Sequence, residues 1–459
     1  MTPAEQMARA ARARELAETL PARGVRSVAI TMVDNAGVTR VKTFPISLLE
    51  RSVRAGIGLS PVFDVFLLND HITASDEVGG PTGDHRLMVD PNAIRVLAAQ
   101  PGWAWGPCDR LTQEGEVAPI CQRSFLRRMV ERATAKGLNL SVGCEIEWFL
   151  GREDEEGRLV AAHYGPAYSA IVLAQLSDFV TDLIAAFEEE GVGVDQFHPE
   201  YSNGQLEISL RHRDPVSAAD LMVLARQTIR GVSARHGWRA SFSPVVVPGE
   251  VGNGGHWHFS VWRDGHNLFA VGEGPYGMTE EAQSFVAGIL AELPALLAIG
   301  SPSVASYLRL VPSHWAGVYQ VWGRENREAA LRLVTGIVGT RDSSSNCEVK
   351  TFDLSANPYL AIGAIIAAGL AGLEQGMKLP PEFPDDPAGH PPEELEERGV
   401  RRLPASLGES IAHLEKSDVL REAMGSTLYG AFLAVRRAEV EAFEGQDPET
   451  IAAAHRWRY

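Results

Sequence analysis

Residues 141–150 read SVGCEIEWFL, and the alternation in this stretch decides the fold class. Successive side chains of a strand point to opposite faces, so Glu145 and Glu147 share one face and the apolar residues share the other. A strand with one apolar face is typical of a sheet that covers a core on one side only. Taken alone, the two carboxylates have two interpretations, either an exposed sheet edge or a site with a compensating cation.

A second alternating strand lies in residues 198–212, HPEYSNGQLEISLRH. Glu207 lies on its polar face with Gln205 and Ser209. Glu200 precedes a Ser-Asn-Gly turn, which folds the chain back towards Glu207. Exposed polar residues would explain this segment equally well when it is taken alone.

Two more segments place ionisable residues on strand faces. Residues 252–262, GNGGHWHFSVW, put His256 and His258 on one face, and a pair of imidazoles is a better candidate for ligands than a lone one. Residues 345–360, SNCEVKTFDLSANPYL, do the same with Glu348 and Lys350. Carboxylates dominate the combined set, which favours Mg²⁺ or Mn²⁺ over zinc and suggests a nucleotide phosphate as partner.

Arginines follow in a cluster. Residues 322–333, WGRENREAALRL, contain Arg324, Arg327 and Arg332, and Arg309 lies upstream. Guanidinium forks suit phosphates and carboxylates. A helix surface with Glu/Arg pairs is the alternative, which we adopt for Arg324 alone. The sequence has no P-loop and no strand-linked Rossmann glycine motif, so an ATP site would have to be built on an antiparallel sheet.

Composition excludes several classes of function. The 459 residues carry a formal net charge of −17, which argues against nucleic acid or an anionic membrane as partner. The four cysteines stand apart without a C-x-x-C pair and are expected to be reduced thiols in a cytosolic protein. We find no apolar signal segment and no uninterrupted apolar run of about 18 residues, and we therefore expect a soluble cytoplasmic protein.

The pattern of predicted helices and strands along the chain indicates an α+β protein in three parts. Residues 1–20 are an N-terminal helix, and residues 21–114 form a small mixed domain that begins with a hairpin around residues 34–37. Residues 115–459 form a larger domain. Strands and helices alternate there without a clean βαβ repeat, so a parallel doubly wound sheet is not indicated.

In order, the blocks are E-x-E, P-E-x3-G-Q-x-E, G-N-G-x-H-x-H, R-L-V-P, W-G-x-E-N-R-x-A-x2-R and E-x-K-x2-D-x-S-A-N-P-Y-L-A. This succession closely resembles the glutamine synthetase family over roughly residues 115–375. The resemblance implies a small β-grasp-like N-terminal domain. It also implies a large catalytic domain, in which a funnel of antiparallel strands is surrounded by helices.

The resemblance also implies a role for each site residue. The family holds two or three divalent cations, Mg²⁺ or Mn²⁺, and uses ATP as a substrate. One metal would be bound by Glu147, Glu200 and Glu207, and a second by Glu145, His256 and Glu348. ATP would be contacted by His258 and Arg332, and the phosphoryl group in transfer by Arg327. Glutamate would be bound by Gly254, Arg309 and Lys350.

The departures from the family concern the amine. Where the family carries a flap glutamate that takes a proton from ammonium, this chain has Trp315. An indole accepts no proton, but it stacks on organic groups and attracts ammonium heads by cation–π contact. Lys350 stands where the family has an arginine. Of the family's F-D-G-S-S segment only Phe63 and Asp64 remain, and the aspartate of that segment serves a neighbouring subunit in the family.

We therefore expect an ATP-dependent ligase that joins the γ-carboxylate of glutamate to an organic amine through a γ-glutamyl phosphate. Relatives with this pattern use polyamines, ethanolamine, alkylamines or aromatic amines, in catabolism or detoxification. Glutamine synthesis with ammonium is one alternative, and a non-catalytic assembly or regulatory protein is another. The family's stacked hexameric rings imply a homododecamer, with a hexamer as the alternative.

Overall fold

A computed structural model describes residues 3–459. The N-terminal helix runs from Pro3 to Ala22, and residues 1 and 2 of the predicted helix lie outside the described residues. Ala13, Leu16 and Leu20 recur at helical spacing and are buried against the first sheet. The helix therefore closes one face of that sheet.

The first sheet has six strands. In chain order they are β1 Ser27–Val33, β2 Thr39–Pro45, β3 Ile57–Leu59, β4 His85–Val89, β5 Arg95–Val96 and β6 Trp103–Leu111. The main order is β2-β1-β6-β4-β3, and β5 pairs with β6. The predicted hairpin is confirmed, because β1 and β2 pair antiparallel with Thr31 opposite Val41. β1 and β6 run parallel.

The second sheet has ten strands and holds the site described below. They are β7 Asn139–Glu153, β8 Leu159–Ala161, β9 Val194–Pro199, β10 Gln205–Arg213, β11 Arg239–Ser241, β12 Gly255–Arg263, β13 His266–Asn267, β14 Tyr319–Arg324, β15 Ala329–Val334 and β16 Asn346–Val349. The main order is β14-β15-β16-β12-β7-β10-β9. Its pairs are antiparallel except β14 with β15.

In chain order the described helices are α1 Pro3–Ala22, α2 Leu49–Ala55, α3 Gln122–Ala135, α4 Ala170–Gln175, α5 Ser177–Glu190, α6 Pro215–Arg235, α7 Glu280–Gly300, α8 Ser306–Arg309, α9 Arg341–Ser344, α10 Pro358–Glu374, α11 Pro392–Glu397, α12 Leu407–Leu414, α13 Asp418–Met424, α14 Ser426–Ala442 and α15 Pro448–His455. Two helices, α1 and α2, pack on the first sheet, and most of the others surround the second sheet.

The central helix pair is α7 and α10. Asn357 caps α10 by accepting the N–H of Tyr359 at 3.0 Å, and Pro358 occupies the first helical position. A Cβ on Gly288 of α7 would lie 2.7 Å from Cα of Gly372, so the two backbones approach as closely as glycine allows. Of the described helices, α7 alone has the length and apolar character of a membrane span, but 78% of its apolar window is buried inside the protein. A core helix has the same character.

The predicted α+β class is confirmed, with two sheets and helices packed around the larger one. The expected domain boundary near residue 115 stays a prediction, and it falls between β6 and α3. The helical interpretation of residues 322–333 is wrong. Glu325 adopts a left-handed φ of 50° there, and the chain turns between β14 and β15.

Candidate active site

The candidate site is a row of cross-strand neighbours on one face of the second sheet. The register sets His256 opposite Glu145 and Glu207 opposite Glu147. On the other face of β7, Cys144, Ile146 and Trp148 are buried in the core. Strand alternation therefore places the core residues on one face of the sheet and the ionisable residues on the other. Strand pairing brings ionisable residues that are distant in sequence close together.

One group of possible metal ligands lies on β9 and β10. Ligand atoms of His198, Glu200 and Glu207 lie within 4.8 Å of one another. Nε2 of His198 lies 3.0 Å from Oε1 of Glu200 and 3.7 Å from Oε1 of Glu207. Glu147 is close by, but its Oε2 accepts the backbone N–H of Gly254 at 2.8 Å. This carboxylate already has a fixed direction.

A second group lies where β7, β12 and β16 meet. Ligand atoms of Glu145, His258 and Glu348 lie within 4.8 Å of one another. Nδ1 of His256 is 3.2 Å from Oε2 of Glu145 and 3.4 Å from Oε1 of Glu348. Both histidines of the strand thus reach the same two carboxylates, whereas the sequence assigned only His256 to this metal.

The electrostatics of this face call for a cation. Burial, together with the charges of Glu145, Glu147 and Glu200, raises the pKa of Glu207 to about 11. Burial alone would lower the pKa of His258, but Glu145, Glu348 and the hydrogen bond with Asn346 together outweigh it and raise this pKa to about 9. Carboxylates this close repel one another, so divalent cations among their oxygens would relieve the repulsion. Oxygen-rich groups with one or two imidazoles fit Mg²⁺ or Mn²⁺.

The row opens into a cavity of about 720 Å³. Arg309, Arg327, Arg332 and Lys350 contribute to its wall. Arg332 is held in place, because it donates to Oε2 of Glu348 at 3.0 Å and to Oε2 of Glu325 at 3.1 Å. Arg327 is exposed and forms no hydrogen bond or ion pair within residues 3–459. Its guanidinium is available to an anion in the cavity.

Gly254 and Arg309 form one corner of the site. A Cβ at residue 254 would lie 2.3 Å from Nε2 of His256 and 2.8 Å from Nη2 of Arg309, so only glycine fits. Arg309 is buried and donates to the carbonyls of Lys350 at 3.0 Å and Thr351 at 3.1 Å. Lys350 in turn donates to Oε1 of Glu348 at 3.2 Å. Two cations are therefore held rigidly beside the carboxylate row.

Trp315 lies on the loop between α8 and β14 and is 43% exposed. Its ring centroid is 5.3 Å from that of Tyr201, at an interplanar angle of 53°. Both rings line the main cavity and also a second depression of about 430 Å³, whose wall includes Glu250. Ser313 and Trp315 have left-handed φ values of 56°, so the loop is strained. This aromatic pair separates the two hollows.

Asp64 does not line the main cavity. Its carboxylate is fully buried, pairs with Arg110 and accepts a hydrogen bond from Nε2 of Gln122 at 2.9 Å. A carboxylate enclosed in this way is not presented to a neighbouring subunit. We therefore leave Asp64 out of the site.

Three residues of the site were missed in the sequence. His198 lies on β9 and Glu200 directly follows the end of that strand, so the close spacing of an imidazole and a carboxylate was the available signal. Tyr168 donates to Oε2 of Glu200 at 2.7 Å, and its ring stacks on His198 with centroids 5.7 Å apart. Tyr201 and Tyr168 lie in turns, where no periodicity marks which side chains face a cavity.

Two family models match successive parts of the chain. The model of the glutamine synthetase N-terminal domain matches residues 9–116, and that of the glutamine synthetase catalytic domain matches residues 119–452. The gamma-glutamylpolyamine synthetase GlnA3 of Streptomyces coelicolor is 53% identical over 98% of this chain and 97% of its own. A glutamine synthetase of Methanocaldococcus jannaschii is 31% identical over 91% of this chain and 92% of its own. The crystal structure of a novel glutamine synthase homolog superposes with a TM-score of 0.85 at 31% identity, and it covers 95% of this chain and 99% of that one.

Proposed function

Since the chain belongs to the glutamine synthetase family, we propose that it is an ATP-dependent ligase joining the γ-carboxylate of glutamate to a polyamine. The aromatic pair of Trp315 and Tyr201 beside the carboxylate row is the observation that favours an organic amine over ammonium as the substrate. The polyamine is favoured by the 53% identity to a gamma-glutamylpolyamine synthetase.

The residues support binding of ATP at one end of the site. A hollow of about 380 Å³ adjoins the main cavity and shares Glu145 and His258 with it. Its wall includes Trp262 and Ser260, and Nε1 of Trp262 donates to Oγ of Ser260 at 2.8 Å. A flat aromatic beside a hydroxyl suits a nucleoside. We place the adenosine there and the phosphates towards Arg327 and Arg332.

A carboxylate is a poor electrophile, so the reaction needs two steps. An oxygen of the glutamate γ-carboxylate attacks the terminal phosphorus of ATP, ADP leaves, and an acyl phosphate forms. The amine nitrogen then attacks the acyl carbon, phosphate leaves, and the nitrogen loses a proton to give the amide. Arg327 meets the negative charge that shifts between oxygens in the first step. Arg309 and Lys350, with the backbone at Gly254, bind the glutamate.

Bound divalent cations would supply charge neutralisation of the phosphates and carboxylates. The chain would hold one with Glu147, Glu200 and Glu207, assisted by His198, and another with Glu145, His256 and Glu348, assisted by His258. Mg²⁺ or Mn²⁺ fits these donors. We also propose a cytoplasmic location and a homododecamer or hexamer, both of which rest on the family resemblance.

The polyamine would enter past the aromatic pair. A protonated amine is attracted by the faces of Trp315 and Tyr201, and by the excess of carboxylates behind them. The hollow beyond the pair, with Glu250 in its wall, offers room and negative charge for a second ammonium group. Ammonium could occupy only one hollow at a time, and it has no carbon chain to pack against the rings. A flexible diamine or longer polyamine uses both hollows.

The decisive experiment measures phosphate release by the purified protein with ATP, Mg²⁺ or Mn²⁺ and glutamate. The amines are ammonium, methylamine, ethanolamine, putrescine, spermidine and spermine, and mass spectrometry identifies the products. We expect the polyamines to have the highest kcat/KM. Fastest turnover with ammonium would instead establish glutamine synthesis. Lack of ATP turnover with every amine would favour a non-catalytic role.

A further inference from the structure

A separate cavity of about 410 Å³ lies between the N-terminal sheet and α6. Arg226 and Arg230 of α6 form one wall, and Trp103 and Trp105 of β6 contribute to another. Thr31 lies beside them, and its hydroxyl accepts the Nε1–H of Trp105 at 2.9 Å. No residue of this cavity also lines the main cavity.

Among the described residues neither arginine has an acidic side chain within ion-pair distance, although the charge of Asp353 acts on Arg226 from farther away. Arg226 is 3% exposed, and its Nε is buried without a hydrogen-bond partner. Both guanidinium groups lie over the ring of Phe242, at 5.1 and 4.9 Å from its centroid. Within residues 3–459 neither forms an ion pair or a hydrogen bond. Their only described cationic contact is with an aromatic face.

Another buried arginine is paired in the usual way. Arg123 is also 3% exposed, but it forms ion pairs with Asp90, Asp109 and Asp220 at 2.7 to 3.0 Å. Buried charges in proteins are normally paired in this manner. The cavity arginines are thus an exception that the chain itself does not explain.

Placing two guanidinium groups next to each other without an ion-pair partner is unfavourable in free energy. Burial and the charge of Arg230 lower the pKa of Arg226 to about 9, against the opposite effect of Tyr459 and Asp353, and burial lowers the pKa of Arg230 to about 10. Both groups remain cationic at neutral pH, and Arg226 is buried while Arg230 beside it is partly exposed. An anion between them would offset the desolvation and their mutual repulsion.

We propose that this cavity binds a small anionic ligand, a carboxylate or phosphate compound with a flat or apolar body. Two guanidinium groups supply the donors that such an anion needs, and the hydroxyl of Thr31 supplies a further polar contact. Trp103 and Trp105 offer apolar surface for the body of the ligand. The volume is within the usual range for small-molecule sites, about 300–1,000 Å³.

The bound anion would connect the two sheets. The cationic wall of the cavity belongs to α6, which packs on β7 of the second sheet. The aromatic wall of the cavity belongs to the first sheet. Binding would therefore stabilise the contact between these parts of the chain. It requires nothing from the proposed ligase reaction.

The test titrates the full-length protein with sodium phosphate, sodium succinate and sodium benzoate at constant ionic strength. We expect at least one of these probes to raise Tm saturably by about 2 °C and to change tryptophan fluorescence. Arg226→Met and the milder Arg230→Gln should abolish both effects. Arg235→Met is the matched control, since Arg235 is exposed at the end of the same helix. All titrations are repeated in Arg327→Gln, which removes an anion-binding group of the main cavity.

Three results would overturn the proposal. The first is no change of Tm or fluorescence with any of the three probes, and the second is the same effect of the probes in both cavity variants as in the wild type. The third is a change of the oligomer size, measured by light scattering, in the cavity variants with no effect of the probes. That outcome would mean that an acidic side chain of a second copy fills the cavity. ATP turnover with glutamate and amine is measured in parallel and should be unaltered in Arg226→Met, so the two proposals fail independently.

Discussion

The backbone N–H of Trp315 donates a hydrogen bond of 2.7 Å to Oε1 of Glu328. Glu328 directly follows Arg327, so one turn holds the aromatic loop and presents the guanidinium to the cavity. The loop residues Ser313 and Trp315 both adopt left-handed φ values, which an anchor of this kind helps to maintain. In the proposed reaction, amine binding and phosphoryl transfer would thus be positioned by adjacent residues.

Glu328→Ala removes this anchor. We expect the amine KM to rise about fivefold, because loss of a half-buried acceptor costs about 1 kcal/mol. Glu328→Gln keeps an acceptor oxygen and should behave like the wild type. Steady-state kinetics with spermidine would measure both. Equal effects of the two substitutions would show that the charge of Glu328 acts directly and that the anchor is unimportant.

Trp315→Ala removes the aromatic face itself. We expect the amine KM to rise about tenfold, as expected for loss of a partly desolvated cation–π contact, with ATP binding unchanged. Trp315→Phe retains an aromatic face, so its amine KM should lie between those of the wild type and Trp315→Ala. Kinetics at saturating ATP and glutamate provide the measurement. Wild-type amine kinetics in Trp315→Ala would mean that the indole only packs against Tyr201.

Arg327→Gln should lower kcat about 100- to 1,000-fold and leave the KM for ATP nearly unchanged. The reason is that the charge on the transferring phosphoryl group is shifted most in the transition state. Arg324→Gln is the matched control, because Arg324 lies over the ring of Tyr276 at 4.9 Å and donates to Oγ1 of Thr335. A large rise in the KM for ATP in Arg327→Gln would assign this arginine to ground-state binding.

Metal binding is expected to stabilise the fold as well as the reaction. Mn²⁺ should raise Tm of the metal-free protein, since it binds the folded carboxylate row and relieves its repulsion. Glu207→Ala should weaken Mn²⁺ binding at least about tenfold by calorimetry. Glu156→Gln, a change at an exposed acid, is the control. An unchanged Mn²⁺ affinity in Glu207→Ala would remove Glu207 from the ligand set.

Glu190 should make stability depend on pH. Burial raises its pKa to about 7, while a Glu in the unfolded chain titrates near about 4.3. At pH values between these two pKa values the folded protein binds a proton at Glu190 that the unfolded chain has lost. The free energy of unfolding therefore falls as pH rises from about 4.5 to 7. Glu190→Gln still offers an oxygen to the N–H of Ala98, which the carboxylate accepts at 2.9 Å.

We expect Glu190→Gln to match the wild type at pH 4.5 and to be more stable by about 3 kcal/mol at pH 8. Denaturant unfolding at the two pH values would measure the difference. A variant that is less stable at pH 8 would mean that the ionised carboxylate is preferred in the fold. The hydrogen bond from Thr228 at 2.6 Å would then be the reason.

Period-two alternation was sufficient to predict β7, β10, β12 and β16 and the separation of core from polar face on them, but it did not reveal β9 or β15. It could not predict which strands are neighbours, because pairing joins segments that are distant in sequence. The approach of His258 to Glu145 follows from β12 lying between β16 and β7. Sequence alone had assigned only His256 to the second metal.

Loops were harder to predict for a different reason. Glu325 and Trp315 take left-handed conformations that neither residue prefers, so the local sequence gives no sign of them. The pairing of Trp315 with Tyr201 joins two loops, and loop contacts have no period. Similarly, the burial of Asp64 depends on Arg110 and Gln122, whose positions are set by the packing of the two domains.

Trp315 lies on a loop outside the paired strands that hold the carboxylates, so this loop can change in sequence without disturbing the strand pairing. A one-residue slip in β12 would turn His256 and His258 into the core and Trp257 into the cavity, so the ladder tolerates little variation. Trp315 is under no such constraint. New amine preferences could therefore arise through substitutions in one loop, while the machinery that activates the carboxylate stays fixed by the sheet.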